Sequence, residues 1–129
     1  MIYADTSVAL AWILAEDRRP PASFWDETVV SSRLLEYELV SRLELYGRTR
    51  ERERAAREVL GRVAFVELVS PALERALRPF PVPVRTLDAL HLATLEFLHG
   101  HDRKVPLASY HERQLAAARA LGLPIHTLP

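Results

Sequence analysis

Short apolar segments alternate with longer helical patterns along the whole chain, and this alternation constrains the fold more than any other feature. Periodicity and turn residues predict strands at residues 2–4, 29–30, 66–69, 105–109 and 125–128. Helices are predicted at residues 8–14, 22–27, 33–46, 51–62, from 71 onward, 86–99 and 111–121. Strands separated by helices form a mainly parallel sheet with helices on both faces, so we predict a three-layer α/β fold.

Length and composition restrict the class of protein. The chain has 129 residues, 49% of them hydrophobic, which predicts one domain over residues 1–129. The absence of cysteine excludes disulfides, thiolate metal sites and cysteine nucleophiles. No apolar stretch reaches the roughly 18 residues of a membrane span, and no signal-peptide pattern is present. We therefore expect a soluble, cytoplasmic protein with no membrane partner.

The overall charge does not strongly attract nucleic acid, because 17 basic residues balance 17 acidic ones. Residues 48–62, RTRERERAAREVLGR, are the best candidate for a local basic patch. We favour a solvated helix with ion pairs three and four residues apart, because the acidic side chains largely cancel the positive field. A nucleic-acid-binding patch is the alternative interpretation.

A carboxylate, Asp5, directly follows the first predicted strand. Ligands of parallel sheets bind beyond the carboxyl ends of the strands, where the order of connection reverses, so Asp5 is a candidate site residue. It could equally cap the helix that begins near Ser7, and for Asp5 considered alone this is the favoured interpretation.

A second carboxylate, Glu38, lies where a surface acid does not belong. It falls within the predicted apolar face of the helix at residues 33–46, formed by Leu34, Leu35, Leu39, Leu45 and Tyr46. The alternative is an ion pair with Arg42 one turn later, which contributes only about 0.3–0.5 kcal/mol when exposed. This stabilisation is small compared with what is needed to place a carboxylate on an apolar face.

A third carboxylate, Asp88, lies in the first turn of the apolar helix that Thr86 is predicted to cap. It points between the directions of Leu92 and Leu95. The helix dipole favours an acid at this position, which is the alternative to a role in a site. Burial of an unpaired carboxylate costs several kcal/mol, so we expect either a raised pKa for Asp88 or a cation beside it.

Three semi-buried carboxylates from separate segments need a shared cation. Oxygen ligands without thiolates suit a hard divalent ion, Mg²⁺ or Mn²⁺. Such an ion can activate a water and stabilise charge on a phosphodiester, which predicts hydrolysis of a nucleic-acid backbone. The HGHD segment at residues 99–102 is interpreted as a solvated loop, since it has no third zinc ligand nearby, and His91 as a core histidine.

Four segments occur in a characteristic order and spacing. They are DTS at residues 5–7, SRLLEYEL at 32–39, LDALHLA at 87–93 and SYHERQLAAARALG at 109–122. Together they resemble the PIN domain, in particular the VapC-type toxins of type II toxin–antitoxin pairs, over essentially the whole chain. The resemblance implies a compact α/β/α fold and Mg²⁺- or Mn²⁺-dependent endoribonuclease activity on RNA. It also implies a homodimer that is inhibited by a small VapB-like antitoxin.

The resemblance also suggests roles for individual residues. Asp5, Glu38 and Asp88 match the first three acids of the family, which act in catalysis and metal binding. Thr6 and Ser7 match the hydroxyl residues beside the first acid, where either one orients a carboxylate or a metal-bound water.

One position departs from the family pattern. Where the family usually has Thr-x-Asp, this chain has Ser109, Tyr110 and His111, so the fourth acid is missing. Glu112 cannot simply replace it, because one residue along a helix turns the side chain by about 100°. His111 is a possible fourth site position that ligates the metal, holds a water or contacts the phosphate, and Ser109 is a supporting residue. Loss of a second metal site is the alternative.

Two other functions remain compatible with the sequence. A catalytically degenerate PIN domain would bind RNA or its antitoxin without cleaving, and His111 is the basis for this hypothesis. A phosphoacceptor signalling domain also places an Asp at a strand end. It is disfavoured, because the only lysine, Lys104, precedes the predicted strand at residues 105–109 and does not follow it.

Overall fold

The computed structural model describes residues 1–100 and 104–129 and has a central sheet of parallel strands. The strands are β1 (Ile2–Ala4), β2 (Val29–Ser32), β3 (Val63–Val66) and β4 (Leu107–Ala108). Their order in the sheet is β3-β2-β1-β4. The chain therefore builds outward from β1 to β3 and returns to the other side of β1 with β4. The connection reverses beside β1, which is where open α/β sheets bind ligands.

Helices cover both faces of the sheet. Within the described residues they are α1 (Thr6–Ile13), α2 (Leu34–Tyr46), α3 (Arg50–Arg62), α4 (Ser70–Ala76), α5 (Thr86–His99), α6 (Glu112–Ala120) and a short 3₁₀ helix (Ala22–Asp26). Pro71 lies in the first turn of α4, as predicted. Thr86 is the first residue of α5 and not its cap, because Arg85 occupies the N-cap position.

Successive residues of β1 face opposite sides of the sheet and so separate two apolar cores. Ile2 and Ala4 belong to the core that α1, α2 and α3 cover. Tyr3 belongs to the core that α5 and α6 cover, together with Leu92 and Leu95. α4 packs on the outer side of α5. The predicted three-layer α/β fold with a parallel sheet is confirmed.

Four predicted strands differ from the structure in their bounds. The strand predicted at residues 29–30 extends to Ser32, and the one predicted at residues 105–109 is reduced to Leu107–Ala108. The other two differ more. β3 begins at Val63 and not at residue 66, because α3 passes into the strand without a loop and pairing with β2 runs from Val29↔Val63 to Ser32↔Val66. The predicted strand at residues 125–128 is reduced to one bridge between Ile125 and Leu107. β4 is only two residues long, so it offers the C-terminal segment little to pair with.

The apolar face of α2 is narrower than predicted. Its buried residues are Leu35, Leu39 and Leu43. Leu45 and Tyr46 are 74% and 56% exposed, because Leu45 points away from this stripe and Tyr46 lies at the helix end beside Gly47. Glu38 lies at the border of the stripe, with 16% of its side chain exposed.

α3 is the exposed helix that the charged segment predicted, but no ion pair joins two of its own residues. Its ion pairs reach outside the helix, from Glu53 to Arg48 at 3.9 Å and from Arg62 to Asp26 at 3.3 Å. Arg52 donates to the backbone carbonyls of Tyr46 and Gly47 at 2.6 and 3.1 Å. The other charged side chains of α3 are exposed, and ion pairs on an exposed surface add little stability.

Two further predictions concern surface features. Residues 101–102 of the HGHD segment lie outside the described residues, while His99 at the end of α5 is hydrogen-bonded to the carbonyl of Val105 at 2.9 Å. In the part of the chain that the structure describes, every helix is too short or too polar to span a bilayer.

Candidate active site

Three carboxylates from separate elements line one cleft of about 550 Å³ beyond the carboxyl end of β1. Asp5 follows β1, Glu38 lies in α2 and Asp88 lies in the first turn of α5. Asp5 and Asp88 are only 2% and 7% exposed. The structure therefore brings together the three acids that the sequence singled out, and His111 lines the same cleft.

Asp5 both caps a helix and faces the cleft, so its two predicted roles coexist. It is the N-cap residue of α1, and its Oδ2 accepts hydrogen bonds from the backbone N–H of Ser7 at 3.1 Å and from the Ser7 hydroxyl at 2.5 Å. Ser109, which follows the neighbouring strand β4, donates its hydroxyl to the same oxygen at 3.2 Å. These three donors fix the Asp5 carboxylate before any ligand binds.

A buried amide, Gln114 in α6, completes the surroundings of Asp5. With its nitrogen turned toward the carboxylate, Gln114 donates to Asp5 Oδ1 at 3.0 Å and to the Ser109 hydroxyl at 3.0 Å. The sequence interpretation missed this residue. A signal existed, because Gln114 shares the buried stripe of α6 with Ala117 and Ala118 at helical spacing.

Glu38 is held by two donors on the cleft wall. Its Oε1 accepts a hydrogen bond from the Thr6 hydroxyl at 2.9 Å and lies 2.7 Å from Nε2 of His91. The ion pair with Arg42 that the sequence offered as an alternative does not form within the described residues.

His91 is a buried histidine that bonds to a candidate site residue, so its interpretation as a core histidine was incomplete. It is 1% exposed, and its Nδ1 lies 2.8 Å from the Tyr3 hydroxyl. Burial alone would lower the pKa of His91. The hydrogen bond to Glu38 and the nearby charges of Asp5, Glu38 and Asp88 outweigh burial and raise that pKa above its usual value. The signal in the sequence was its position one turn after Asp88 on α5.

His111 stands between two carboxylates at the open side of the cleft. Its Nδ1 lies 3.5 Å from Asp5 Oδ2 and 3.8 Å from Asp88 Oδ1, and its side chain is 57% exposed. These are ion-pair distances. Interaction with Asp88 raises the pKa of His111, and interaction with His111 lowers the pKa of Asp88. His111 therefore acts as a counter-charge to the acids in this structure.

The donor set in the cleft suits a hard cation, but its present arrangement does not form a ready-made metal site. Within residues 1–100 and 104–129, no three His, Asp or Glu side chains are arranged to hold a metal ion. The reason is visible in the contacts: His91 engages Glu38, and His111 stands beside both Asp5 and Asp88.

Three basic residues lie on the rim of the same cleft, and the sequence interpretation considered only Arg42, as an ion-pair partner of Glu38. They are Arg42 of α2, Arg85 before α5 and Arg113 of α6. All three are exposed. They come from three separate elements, so no local sequence pattern could have grouped them.

Comparison with known proteins gives one family match and one similar protein. The family model described as "PIN domain" matches residues 2–120 of this chain. The chain is also similar to Ribonuclease VapC47 of Mycobacterium tuberculosis (strain CDC 1551 / Oshkosh). The two are 28% identical over an alignment that covers 95% of this chain and 93% of that protein.

Proposed function

The chain belongs to the PIN domain family, and we propose that it is a metal-dependent endoribonuclease that acts as the toxin of a VapBC-like toxin–antitoxin pair. The observation that carries this proposal is the convergence of Asp5, Glu38 and Asp88 on one cleft at the carboxyl edge of a parallel sheet. Similarity to a protein named as a VapC ribonuclease gives independent support. We place its action in the cytoplasm, where RNA is available.

The proposed cofactor is Mg²⁺ or Mn²⁺, held by Asp5, Asp88 and Glu38. All three donors are carboxylate oxygens, which these hard ions prefer. When bound, the ion would supply Lewis acidity to a water and to the phosphodiester oxygens. Binding requires His111 to give up its position between Asp5 and Asp88 or to become a ligand itself.

The neighbouring polar residues serve as positioning residues in this proposal. Ser7, Ser109 and Gln114 together fix both oxygens of Asp5. Thr6 and His91 fix Oε1 of Glu38, and within the described residues no hydrogen bond engages its Oε2. Because these contacts restrict Asp5 and Glu38, these two carboxylates lose little freedom when a cation binds, although His111 must move or become a ligand itself.

The proposal is tested by cleavage of a labelled single-stranded RNA by the purified full chain. We expect cleavage with Mg²⁺ or Mn²⁺, none in EDTA, and a loss of about 100-fold or more in Glu38→Gln. Glu36→Gln is the matched control, because Glu36 is two residues away on α2 and pairs with Arg33 outside the cleft. Cleavage that persists in EDTA, or falls equally in both variants, contradicts the proposed function.

A second candidate function rests on His111. Because this imidazole already balances Asp5 and Asp88, the chain could be a degenerate PIN domain that binds RNA or antitoxin without cleaving. The same assay separates the two: RNA that binds but stays intact with either metal favours the degenerate domain.

The proposed protein partner is a VapB-like antitoxin that places an apolar helix beside the site and a basic side chain near the acids. Support comes from a second cleft of about 250 Å³, which adjoins Glu38 and is lined in part by Leu10, Leu14, Tyr46 and Tyr110. An antitoxin that inhibits equally well without its C-terminal tail contradicts this mode of binding.

We further propose a homodimer. A groove of about 760 Å³ between α4, the loop at residues 77–85 and α5 is lined by Leu73, Leu77, Phe80 and Val82, among others. Light scattering should give a dimer for the parent and a monomer for Leu77→Arg. Leu45→Arg is the control, since Leu45 is also exposed but lies on α2, outside the groove. Dissociation by the control alone contradicts this interface.

A further inference from the structure

Three arginines lie on the rim of the acidic cleft. The guanidinium groups of Arg42, Arg85 and Arg113 make no hydrogen bond or ion pair within the described part of the chain, although three carboxylates line the same cleft. The charge of Arg113 reaches the cleft, since it adds to the effect of His111 in lowering the pKa of Asp88.

Some arginines elsewhere in the molecule have acidic partners. Arg33 binds Glu67 at 2.8 Å, Arg48 binds Glu44 at 2.6 Å, and Arg75 lies 3.2 Å from Glu96. These pairs form on or near the surface, where they gain little. Three carboxylates line the cleft, yet within the described residues none of them forms an ion pair with Arg42, Arg85 or Arg113.

Arg42 explains how this arrangement arises. It lies one helical turn after Glu38, a spacing at which arginine and glutamate commonly pair. Thr6 and His91 instead occupy Oε1 of Glu38, at 2.9 and 2.7 Å. The imidazole of His91 thus satisfies the acid from within the protein and leaves the guanidinium of Arg42 available to a ligand.

We propose that Arg42, Arg85 and Arg113 bind the phosphates of an RNA strand and hold its backbone against the three acids. This inference rests on the proposed function, because it names how that site holds its substrate. A polyanion is repelled by Asp5, Glu38 and Asp88, so its approach requires positive charge that the acids have not neutralised. Guanidinium groups bind phosphate through two parallel hydrogen bonds and stay charged at every physiological pH.

The test separates binding from cleavage. The full chain carrying Asp88→Asn, which should not cleave, is titrated with a short labelled single-stranded RNA of mixed sequence over a range of salt in Mg²⁺ buffer. One variant adds Arg42→Gln, Arg85→Gln and Arg113→Gln. The matched control adds Arg50→Gln, Arg54→Gln and Arg57→Gln, which removes the same charge from exposed, unpaired arginines of α3 outside the cleft.

We expect the cleft variant to bind RNA about tenfold or more weakly and to lower the slope of log affinity against log salt by about 2, or roughly 0.7 for each phosphate contact. The control should lose less than about threefold. All six arginines are exposed, so thermal melts should match the parent, and single substitutions replace the triple variant if it fails to fold.

Equal losses in the two triple variants would mean non-specific attraction and would overturn the proposal. So would unchanged RNA binding in the cleft variant, a parent that binds no RNA, or a loss confined to binding of an acidic protein partner. Failure of the proposed function has a different signature: the chain without Asp88→Asn does not cleave, while the selective effect of the cleft arginines on RNA binding persists.

Discussion

His91 and His111 stand on the same acidic cleft but differ in how firmly they are held. His91 is 1% exposed and contacts Tyr3, Thr6 and Glu38 at hydrogen-bond distance. The side chain of His111 is 57% exposed and reaches its two carboxylates only at 3.5 and 3.8 Å.

Because they differ in burial and in contact distances, the two histidines have different roles. A buried imidazole with partners on both nitrogens cannot leave without breaking its network, so His91 is a permanent support for Glu38. An exposed imidazole at ion-pair distance can move into water at little cost, so His111 is a replaceable counter-charge. The comparison predicts opposite responses to the same substitution.

The largest effect should come from removing the buried imidazole. His91→Ala leaves a cavity and removes one hydrogen-bond partner each from the Tyr3 hydroxyl and from Glu38 Oε1, so we expect the free energy of unfolding to fall by about 2–3 kcal/mol. His111→Ala should change it by less than about 0.5 kcal/mol, since the side chain is exposed. Urea denaturation of both variants in EDTA gives the two values. Similar losses in both would abolish the distinction between the two histidines.

The next effect concerns metal affinity at the exposed position. His111→Asp adds a carboxylate where a cationic or neutral ring stood, so Mg²⁺ should bind about tenfold more tightly, by about 1.4 kcal/mol. Calorimetric titration with Mg²⁺ measures this directly, with His111→Asn as the control for simple loss of the ring. Equal affinities in the Asp and Asn variants would mean that position 111 lies beyond reach of the ion.

A smaller effect should come from removing the Thr6 hydroxyl, which bonds to the same oxygen of Glu38 as His91 does. Thr6→Val keeps the shape of the side chain and removes one hydrogen bond, so we expect a loss of about 1 kcal/mol in unfolding free energy. RNA cleavage should fall only modestly, because His91 still holds Glu38. If Thr6→Val costs as much activity as Glu38→Gln, then Thr6 contacts the substrate and is not a support.

The smallest effect should be the contribution of His111 to the pH dependence of stability without metal. The pKa values of His91 and His111 are raised in the folded state. Their stabilisation is therefore fully present below the unfolded value of about 6.5 and is lost as pH rises through the folded values. Asp88 has the opposite sign: its lowered pKa stabilises the protein above about 3.8, and this is lost as pH falls.

Denaturation in EDTA between weakly acidic and weakly alkaline pH should show stability declining toward the alkaline end. His111→Asn should reduce this slope slightly, and most of it should remain because His91 is unchanged. Two results would contradict the assigned direction of the histidine pKa shifts. One is a steeper decline of stability with pH in His111→Asn, and the other is stability that rises with pH in the parent.

The sequence allowed prediction of those features that depend on local pattern. Asp5 could be predicted because an apolar strand ends at it, and Asp88 because an acid in an otherwise apolar helix has few explanations. The parallel sheet followed from the alternation of elements. The family resemblance was confirmed by the match over residues 2–120. The assignment of catalytic and metal-binding roles remains a prediction.

Features that depend on tertiary contacts could not be predicted in the same way. His91 and Glu38 are 53 residues apart, and their 2.7 Å contact leaves no trace in the periodicity of either helix. The bounds of β3 were wrong because its pairing with β2, and not its own composition, determines where it begins. The three cleft arginines are ordinary surface residues until the fold assembles α2, α5 and α6 around one opening.

The position of β1 in the middle of the sheet has a consequence for synthesis of the chain. The N–H of Asp5 is bonded to the carbonyl of Ala108, and its carboxylate to Ser109, which lies 104 residues further along. A ribosome releases Asp5 before Ser109, with 104 residues of separation between them. The cleft therefore cannot assemble on a nascent or prematurely truncated chain that lacks β4 and α6. Whatever chemistry the cleft performs begins only after β4 and α6 have been made.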